Sequence, residues 1–123
     1  GLVKSSLPHQ QVIGISSLKM ENAENNTITA FIEKNSSKRN WSIYYDYHFG
    51  GYARHAPALI SFMNGWFDRY QIPTDFVYTA KLFFAINDLV MHDHFPAGSK
   101  ILLVHSGGLQ GNRSLPPGTL TFR

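Results

Sequence analysis

Residues 101–112, ILLVHSGGLQGN, decide the predicted fold of this chain. The apolar run 101–104 is followed at once by a turn of small, polar and glycine residues. A short apolar run bounded by glycines is typical of a strand buried in a parallel sheet. Ligands of open parallel sheets bind just beyond the carboxyl ends of the strands. Ser106 and the two glycines after it are therefore predicted to line a ligand site, and an ordinary turn after a core strand is the alternative.

The composition fits one globular domain. The chain has 123 residues, of which 43% are hydrophobic and only 15% charged, so it can bury a core. The low charged fraction predicts that part of the surface is covered by a subunit or another domain. The net charge of +3 is spread along the chain rather than concentrated on one face, which argues against nucleic-acid binding.

The residues also exclude several kinds of site and segment. The sequence has no cysteine, so it can form neither disulfides nor thiolate metal sites. No apolar run is long enough for a membrane span and no secretory signal is visible, so a cytoplasmic protein without a membrane partner is expected. His92-Asp93-His94 offers metal-ligand types without a third ligand at a suitable spacing. We therefore predict a polar turn there and no metal site.

Strand and helix patterns alternate along the rest of the chain. Their order is strand, helix, strand, two helices and strand, which predicts an α/β fold. We expect a three-layer, open, mainly parallel sheet flanked by helices, as part of a larger two-domain fold. The other predicted strands are 11–16 and 41–47, and the predicted helices are 27–34, 59–70 and a segment from about residue 78 to residue 91, buried on two sides.

Three polar segments are expected to meet at one edge of this sheet. They are Gly50-Gly51-Tyr52, the helix start at Tyr78, and Ser106-Gly107-Gly108. A tyrosine can act as an acid or a base, and a helix start favours anions. Taken singly, a tyrosine in an aromatic-rich chain is more often a core or rim residue.

These segments resemble a family of pyridoxal-phosphate enzymes. Residues 49–53 (FGGYA), 72–81 (IPTDFVYTAK) and 100–112 are similar to motifs of D-cysteine desulfhydrase and 1-aminocyclopropane-1-carboxylate deaminase, which have the tryptophan-synthase-β-like fold type. Residues 11–19 (QVIGISSLK) look like an earlier strand of the same family. The resemblance spans most of the chain and is weakest over 21–40.

The resemblance implies roles for five residues. Tyr78 matches the tyrosine that takes part in proton or nucleophile chemistry, and Tyr52 matches a second tyrosine near the substrate. Ser106 stands where a hydroxyl faces the pyridine nitrogen of pyridoxal phosphate, and Gly107 after it is expected to bind the cofactor as well. Thr79 occupies a cofactor-contacting position that is Glu in the deaminases, which favours the desulfhydrase branch.

In this family the lysine that attaches the cofactor lies far upstream of these motifs. The chain is therefore expected to be a single α/β unit over 1–123, the carboxyl-terminal part of the cofactor-binding large domain, and inactive alone. Lys81 is expected to be structural. The implied whole enzyme is a homodimeric lyase or deaminase for a small amino acid. A 1-aminocyclopropane-1-carboxylate deaminase and a non-catalytic α/β module that binds a small anion or a partner remain alternatives.

Overall fold

Two short parallel strands make up the sheet within the described residues. The computed structural model describes residues 1–20 and 27–122, and in it β1 (Val12–Ile15) runs beside β2 (Trp41–Tyr44). The register pairs Val12 with Trp41 and Ile15 with Tyr44. Parallel strands need a crossover connection, and the helix between them in sequence is the usual one. The predicted mixed α/β class with parallel pairing is confirmed.

Helices account for most of the remaining regular structure. A short α1 (Leu2–Ser5) precedes the sheet, α2 (Thr27–Asn35) lies between the strands in sequence, and α3 (Pro57–Tyr70) and α4 (Thr79–Met91) follow them. The predictions of helices at these three later positions are confirmed. Over the described ranges, no helix combines the length and the apolar character that crossing a bilayer requires.

The ends of α3 follow from local chemistry. Pro57 stands in its first turn, where the missing N–H of proline costs no hydrogen bond. At the other end, Gln71 adopts a left-handed conformation and its N–H donates to the Phe67 carbonyl at 2.8 Å. The helix therefore stops two residues before Pro73.

The core lies where the start of α4 meets α3 and the end of the chain. Helix α4 is buried along most of its length, on both of the predicted faces, but Val90 and Met91 in its last turn are exposed. For those two residues the predicted burial is wrong, because no element within residues 1–20 and 27–122 covers the last turn. The main buried apolar cluster consists of Leu59, Met63, Phe76, Val77, Ala80 and Phe122.

The prediction of a buried strand over 101–104 is wrong. These residues have no regular secondary structure, and Leu102 is 88% exposed. A strand requires a neighbour that completes its backbone hydrogen bonds, and the sheet within the described residues consists of β1 and β2 alone. Apolar composition specifies a preference for burial but cannot provide that neighbour.

Candidate active site around Tyr52 and Tyr78

The structure brings Tyr52 and Tyr78 into direct contact. The Tyr78 hydroxyl donates a hydrogen bond to the Tyr52 hydroxyl at 3.2 Å, and the ring centroids lie 6.0 Å apart in an edge-to-face arrangement. Both side chains are about half exposed, at 58% for Tyr52 and 49% for Tyr78. The hydrogen bond with Tyr52 is the largest cause of a raised pKa of Tyr78, and partial burial adds to it. Two phenols thus face solvent as one hydrogen-bonded pair.

Asp75 fixes the backbone that carries Tyr78. This fully buried carboxylate accepts hydrogen bonds from the N–H groups of Val77, Tyr78 and Thr79, each at 2.9 Å. It also accepts the Thr79 hydroxyl at 2.7 Å. The first N–H groups of a helix have no partners inside it, and here a side chain placed before the helix satisfies them. The sequence indicated Asp75 only as a helix start signal, and its role as the hub of this site was missed.

Thr79 lies beneath the surface that the tyrosines form. It is buried, its hydroxyl is bonded to Asp75, and the same oxygen accepts the Asp75 N–H at 2.8 Å. The prediction that the Thr79 side chain contacts a cofactor does not fit this geometry, because its hydroxyl is already engaged inside the protein. Its part is to support the turn that presents Tyr78.

Lys81 connects this turn to the loop that carries Tyr52. Its side chain is only 1% exposed, and its Nζ donates to the Gly51 carbonyl at 2.9 Å. Burial lowers the pKa of the Lys81 amine to about 8, and the Asp75 carboxylate opposes part of this shift. The sequence contained one usable signal for this role of Lys81, because the lysine lies about one helical turn after Tyr78. The burial of the Lys81 side chain could not be deduced from that spacing.

The segment that follows 101–104 packs against Asp75. It includes Ser106-Gly107-Gly108, the glycine loop, and continues as a 3₁₀-helix, Leu109–Ser114. Gly108 has a φ of +90°, and a Cβ at this position would lie 3.3 Å from Asp75 Oδ1. A Cβ at Gly111 would lie 3.2 Å from a methyl carbon of Val77. Asn112 then bonds the backbone on both sides of Asp75, with its Oδ1 accepting the Phe76 N–H at 3.1 Å and its Nδ2 donating to the Thr74 carbonyl at 2.9 Å. This segment therefore packs against the residues just before Tyr78 and holds them in place.

His105 holds the beginning of the same loop. Its Nε2–H donates to the Pro73 carbonyl at 2.8 Å, while its Nδ1 accepts the Gly107 N–H at 3.1 Å. One ring nitrogen donates and the other accepts, which is the pattern of a neutral imidazole. His105 therefore acts as a brace between two loops rather than as a group presented to a ligand.

Ser106 and Gly107 are the part of the loop that is open to a ligand. Ser106 is exposed, and among the described residues its hydroxyl has no hydrogen-bond partner. A Cβ at Gly107 would meet nothing within 4 Å, so a ligand could approach the backbone there. A pyridoxal-phosphate group fits these residues in part: two phenols, one free hydroxyl and an open backbone are present on neighbouring segments, whereas Thr79 is unavailable.

Two other polar contacts involve residues of β2, of α4 or of the segments that follow them, and do not include the tyrosine pair. Tyr47 donates to Asp88 at 2.7 Å, and burial together with this bond raises the pKa of Tyr47 to about 12. His94 Nε2 lies 2.8 Å from the Tyr44 hydroxyl, which joins the turn after α4 to β2. Over residues 1–20 and 27–122, no three His, Asp or Glu side chains are placed to share a metal ion.

Two depressions of the described surface do not include the tyrosine pair. One, of about 190 Å³, lies against α3 and α4, and the other, of about 580 Å³, lies along 109–122. Neither is lined by a tyrosine of the pair or by Ser106.

Comparison of the chain with protein-family models, with curated proteins and with solved structures gives no match. The function must therefore be inferred from the motifs and from the geometry of the site.

Proposed function

We propose that this chain is the carboxyl-terminal part of the large domain of a pyridoxal-phosphate-dependent lyase that acts on a small amino acid. Within that class we favour a D-cysteine desulfhydrase-like activity. One observation carries the proposal: Tyr52 and Tyr78, which the family resemblance assigns to one site, form a direct hydrogen bond across 26 residues of sequence. The proposal includes a larger three-layer sheet, an upstream lysine, a homodimer and a cytoplasmic location.

The tyrosine pair provides the proton chemistry that such an enzyme needs. Tyr78 donates to Tyr52, and this hydrogen bond favours the protonated form of Tyr78 and raises its pKa. Tyr52 accepts that bond, so its own proton can be donated outward to a substrate group. Pyridoxal phosphate, when bound, supplies the electron sink that stabilises charge on the substrate carbon. The two phenols orient the substrate and hold or move a proton beside it.

Two further positions support the desulfhydrase branch. Ser106 would face the ring nitrogen with a neutral hydroxyl, which does not favour a protonated ring. Thr79 stands where the related deaminases have Glu, and its hydroxyl donates to Asp75. A carboxylate at position 79 would instead face the buried Asp75 carboxylate. The local environment therefore suits a hydroxyl better than an acid.

The decisive experiment restores the coding sequence upstream of Gly1 and purifies the product with pyridoxal phosphate. We expect visible absorbance of the bound cofactor and release of pyruvate, ammonia and sulfide from D-cysteine. Tyr78→Phe and Tyr52→Phe should keep the absorbance and lose turnover by at least about 100-fold, a typical contribution of one acid–base group. Tyr70→Phe, which removes an exposed hydroxyl on α3, is the matched control and should keep full activity.

The outcomes of that experiment separate the alternatives. A restored protein without cofactor absorbance would reject the proposal. Ammonia release from 1-aminocyclopropane-1-carboxylate, with no sulfide from D-cysteine, would favour the deaminase instead.

A non-catalytic α/β module remains the second candidate. The observation in its favour is the high aromatic content of 14%, because aromatic side chains are enriched where proteins bind partners. The gene sequence upstream of the codon for Gly1 distinguishes the enzyme from the non-catalytic module. A lysine-bearing strand and a phosphate-binding loop there support the enzyme, and a start codon directly before the codon for Gly1 supports the module.

A further inference from the structure

We propose that Lys81 is a positioning residue that sets the geometry of the Tyr52–Tyr78 pair. The hydrogen bond from its buried amine to the Gly51 carbonyl fastens the Tyr52 loop to the helix start that carries Tyr78. As a statement about catalysis this inference rests on the proposed function, but its test needs neither cofactor nor substrate.

The chain places this bond next to both tyrosines. Lys81 lies three residues after Tyr78, in the first turn of α4, and Gly51 directly precedes Tyr52. Gly51 is buried and has a φ of +123°, a conformation that side chains rarely adopt. A movement of the Gly51 carbonyl would therefore be transmitted to Tyr52 through a single peptide unit.

The other contacts of the loop do not fix this carbonyl to α4. The Gly51 N–H donates to the His48 carbonyl at 3.2 Å, and the Gly51 carbonyl also accepts the Arg54 N–H at 3.1 Å. Both bonds are local to the loop and would move with it. Phe49 packs edge-on against Phe84 of α4 at 4.9 Å, which anchors the beginning of the loop. Lys81 anchors the carbonyl beside Tyr52.

Stability alone does not explain a lysine at this position. Burial of a cation is costly, and an unbranched apolar side chain such as methionine would occupy a similar space without that cost. Asp75 is the charged group that faces the amine, and it is already saturated with hydrogen bonds from the α4 start. What lysine adds over methionine is a donor that reaches the Gly51 carbonyl.

The test is a site-resolved titration of the tyrosines by NMR, with ¹³C label at the ring carbon that bears the hydroxyl. In Tyr52→Phe the pKa of Tyr78 should fall toward the ordinary value of 10.0, because its main cause has been removed. In Lys81→Met we expect the same fall, although both tyrosines are retained. Tyr47, with a pKa of about 12, reports whether the fold persists.

Each outcome of the titration decides the inference. A Tyr78 pKa that stays at its wild-type value in Lys81→Met, with Tyr47 still near 12, would overturn it. If Tyr47 also reverts, Lys81→Met has not folded, and Lys81→Gln takes its place. The Gln amide is polar but too short to reach Gly51, so the same expectation and the same contradicting result apply. Failure of cofactor binding in the restored enzyme would reject the proposed function and leave this result unaffected.

Discussion

At the residue scale, Asp75 has the greatest structural consequence of any site residue. It is fully buried and accepts hydrogen bonds from three backbone N–H groups and one hydroxyl. Hydrogen bonds to a charged acceptor are stronger than neutral ones, and loss of the charge leaves buried donors poorly satisfied.

We predict that Asp75→Asn lowers the free energy of unfolding by about 2–4 kcal/mol. Asn keeps the shape of the side chain but replaces one accepting oxygen by a donor. Denaturant unfolding measures the loss, and Asp93→Asn is the control, since Asp93 is exposed and its left-handed backbone (φ 54°) also suits Asn. Equal stability of the two variants would show that the Asp75 network is not made.

Lys81 makes the stability of the protein depend on pH. Its pKa is lowered from 10.5 to about 8, so between these values the unfolded chain binds more protons than the folded one. The free energy of unfolding must therefore rise with pH in this window.

We predict a rise of up to about 3 kcal/mol from this group, of which most is complete by pH 10. Above pH 10 the raised pKa of Tyr47 acts in the opposite direction, because the folded state then retains the additional proton. Denaturant unfolding at several pH values from 7 to 10 measures the slope. Lys81→Met should abolish it, and a slope that persists in this variant would assign the effect to another group.

At the scale of elements, the glycine loop and the start of α4 form one unit. Gly107 and Gly108 have similar φ angles, +85° and +90°, but different surroundings. A Cβ at Gly107 meets open space, whereas a Cβ at Gly108 meets the Asp75 carboxylate at 3.3 Å. Substitution of these two glycines by alanine thus separates the free-energy cost of a left-handed backbone from the cost of close packing.

We predict that Gly107→Ala costs about 1 kcal/mol, the ordinary cost of a left-handed alanine. Gly108→Ala should cost about 1–3 kcal/mol more, because the methyl group displaces Asp75 or the loop. Thermal unfolding of both variants provides the measurement. Equal losses would show that the loop does not pack against Asp75.

At the scale of the whole molecule, the apolar run 101–104 behaves differently from the core. Leu102 is 88% exposed, whereas Leu59 of α3 is fully buried. Truncation of the leucine to alanine at each of the two positions therefore tests whether 101–104 is exposed and not a buried strand.

We predict that Leu59→Ala lowers the free energy of unfolding by about 2–5 kcal/mol, and Leu102→Ala by no more than about 0.5 kcal/mol. Both values come from denaturant unfolding of the same chain. A loss of several kcal/mol in Leu102→Ala would mean that 101–104 is buried after all.

The elements that the sequence predicted well are those specified by neighbouring residues. Apolar residues repeating every three to four positions predicted α3 and α4, and Pro57 in the first turn of α3 agrees with local helix rules. The two β-branched and aromatic runs predicted β1 and β2, although each strand is shorter than its run. These patterns act over one or two turns of chain, so the sequence itself contains them.

The site could be predicted only in part. Its motifs indicated Tyr52 and Tyr78, and the structure joins their hydroxyls. The same motifs gave no sign that Thr79 faces inward, because the side of a turn that is buried depends on what packs against it.

By itself, the sequence determined the helices, the two strands, the mixed α/β class and the segments that carry the tyrosines. Only the tertiary structure decided that 101–104 has no strand partner within the described residues, that Lys81 is buried against Gly51, and that Asp75 organises the site. The physical reason is the separation along the chain over which each kind of interaction acts. Periodicity and capping depend on residues a few positions apart, whereas a strand partner, a buried amine and a shared hydrogen bond join residues that are tens of positions apart.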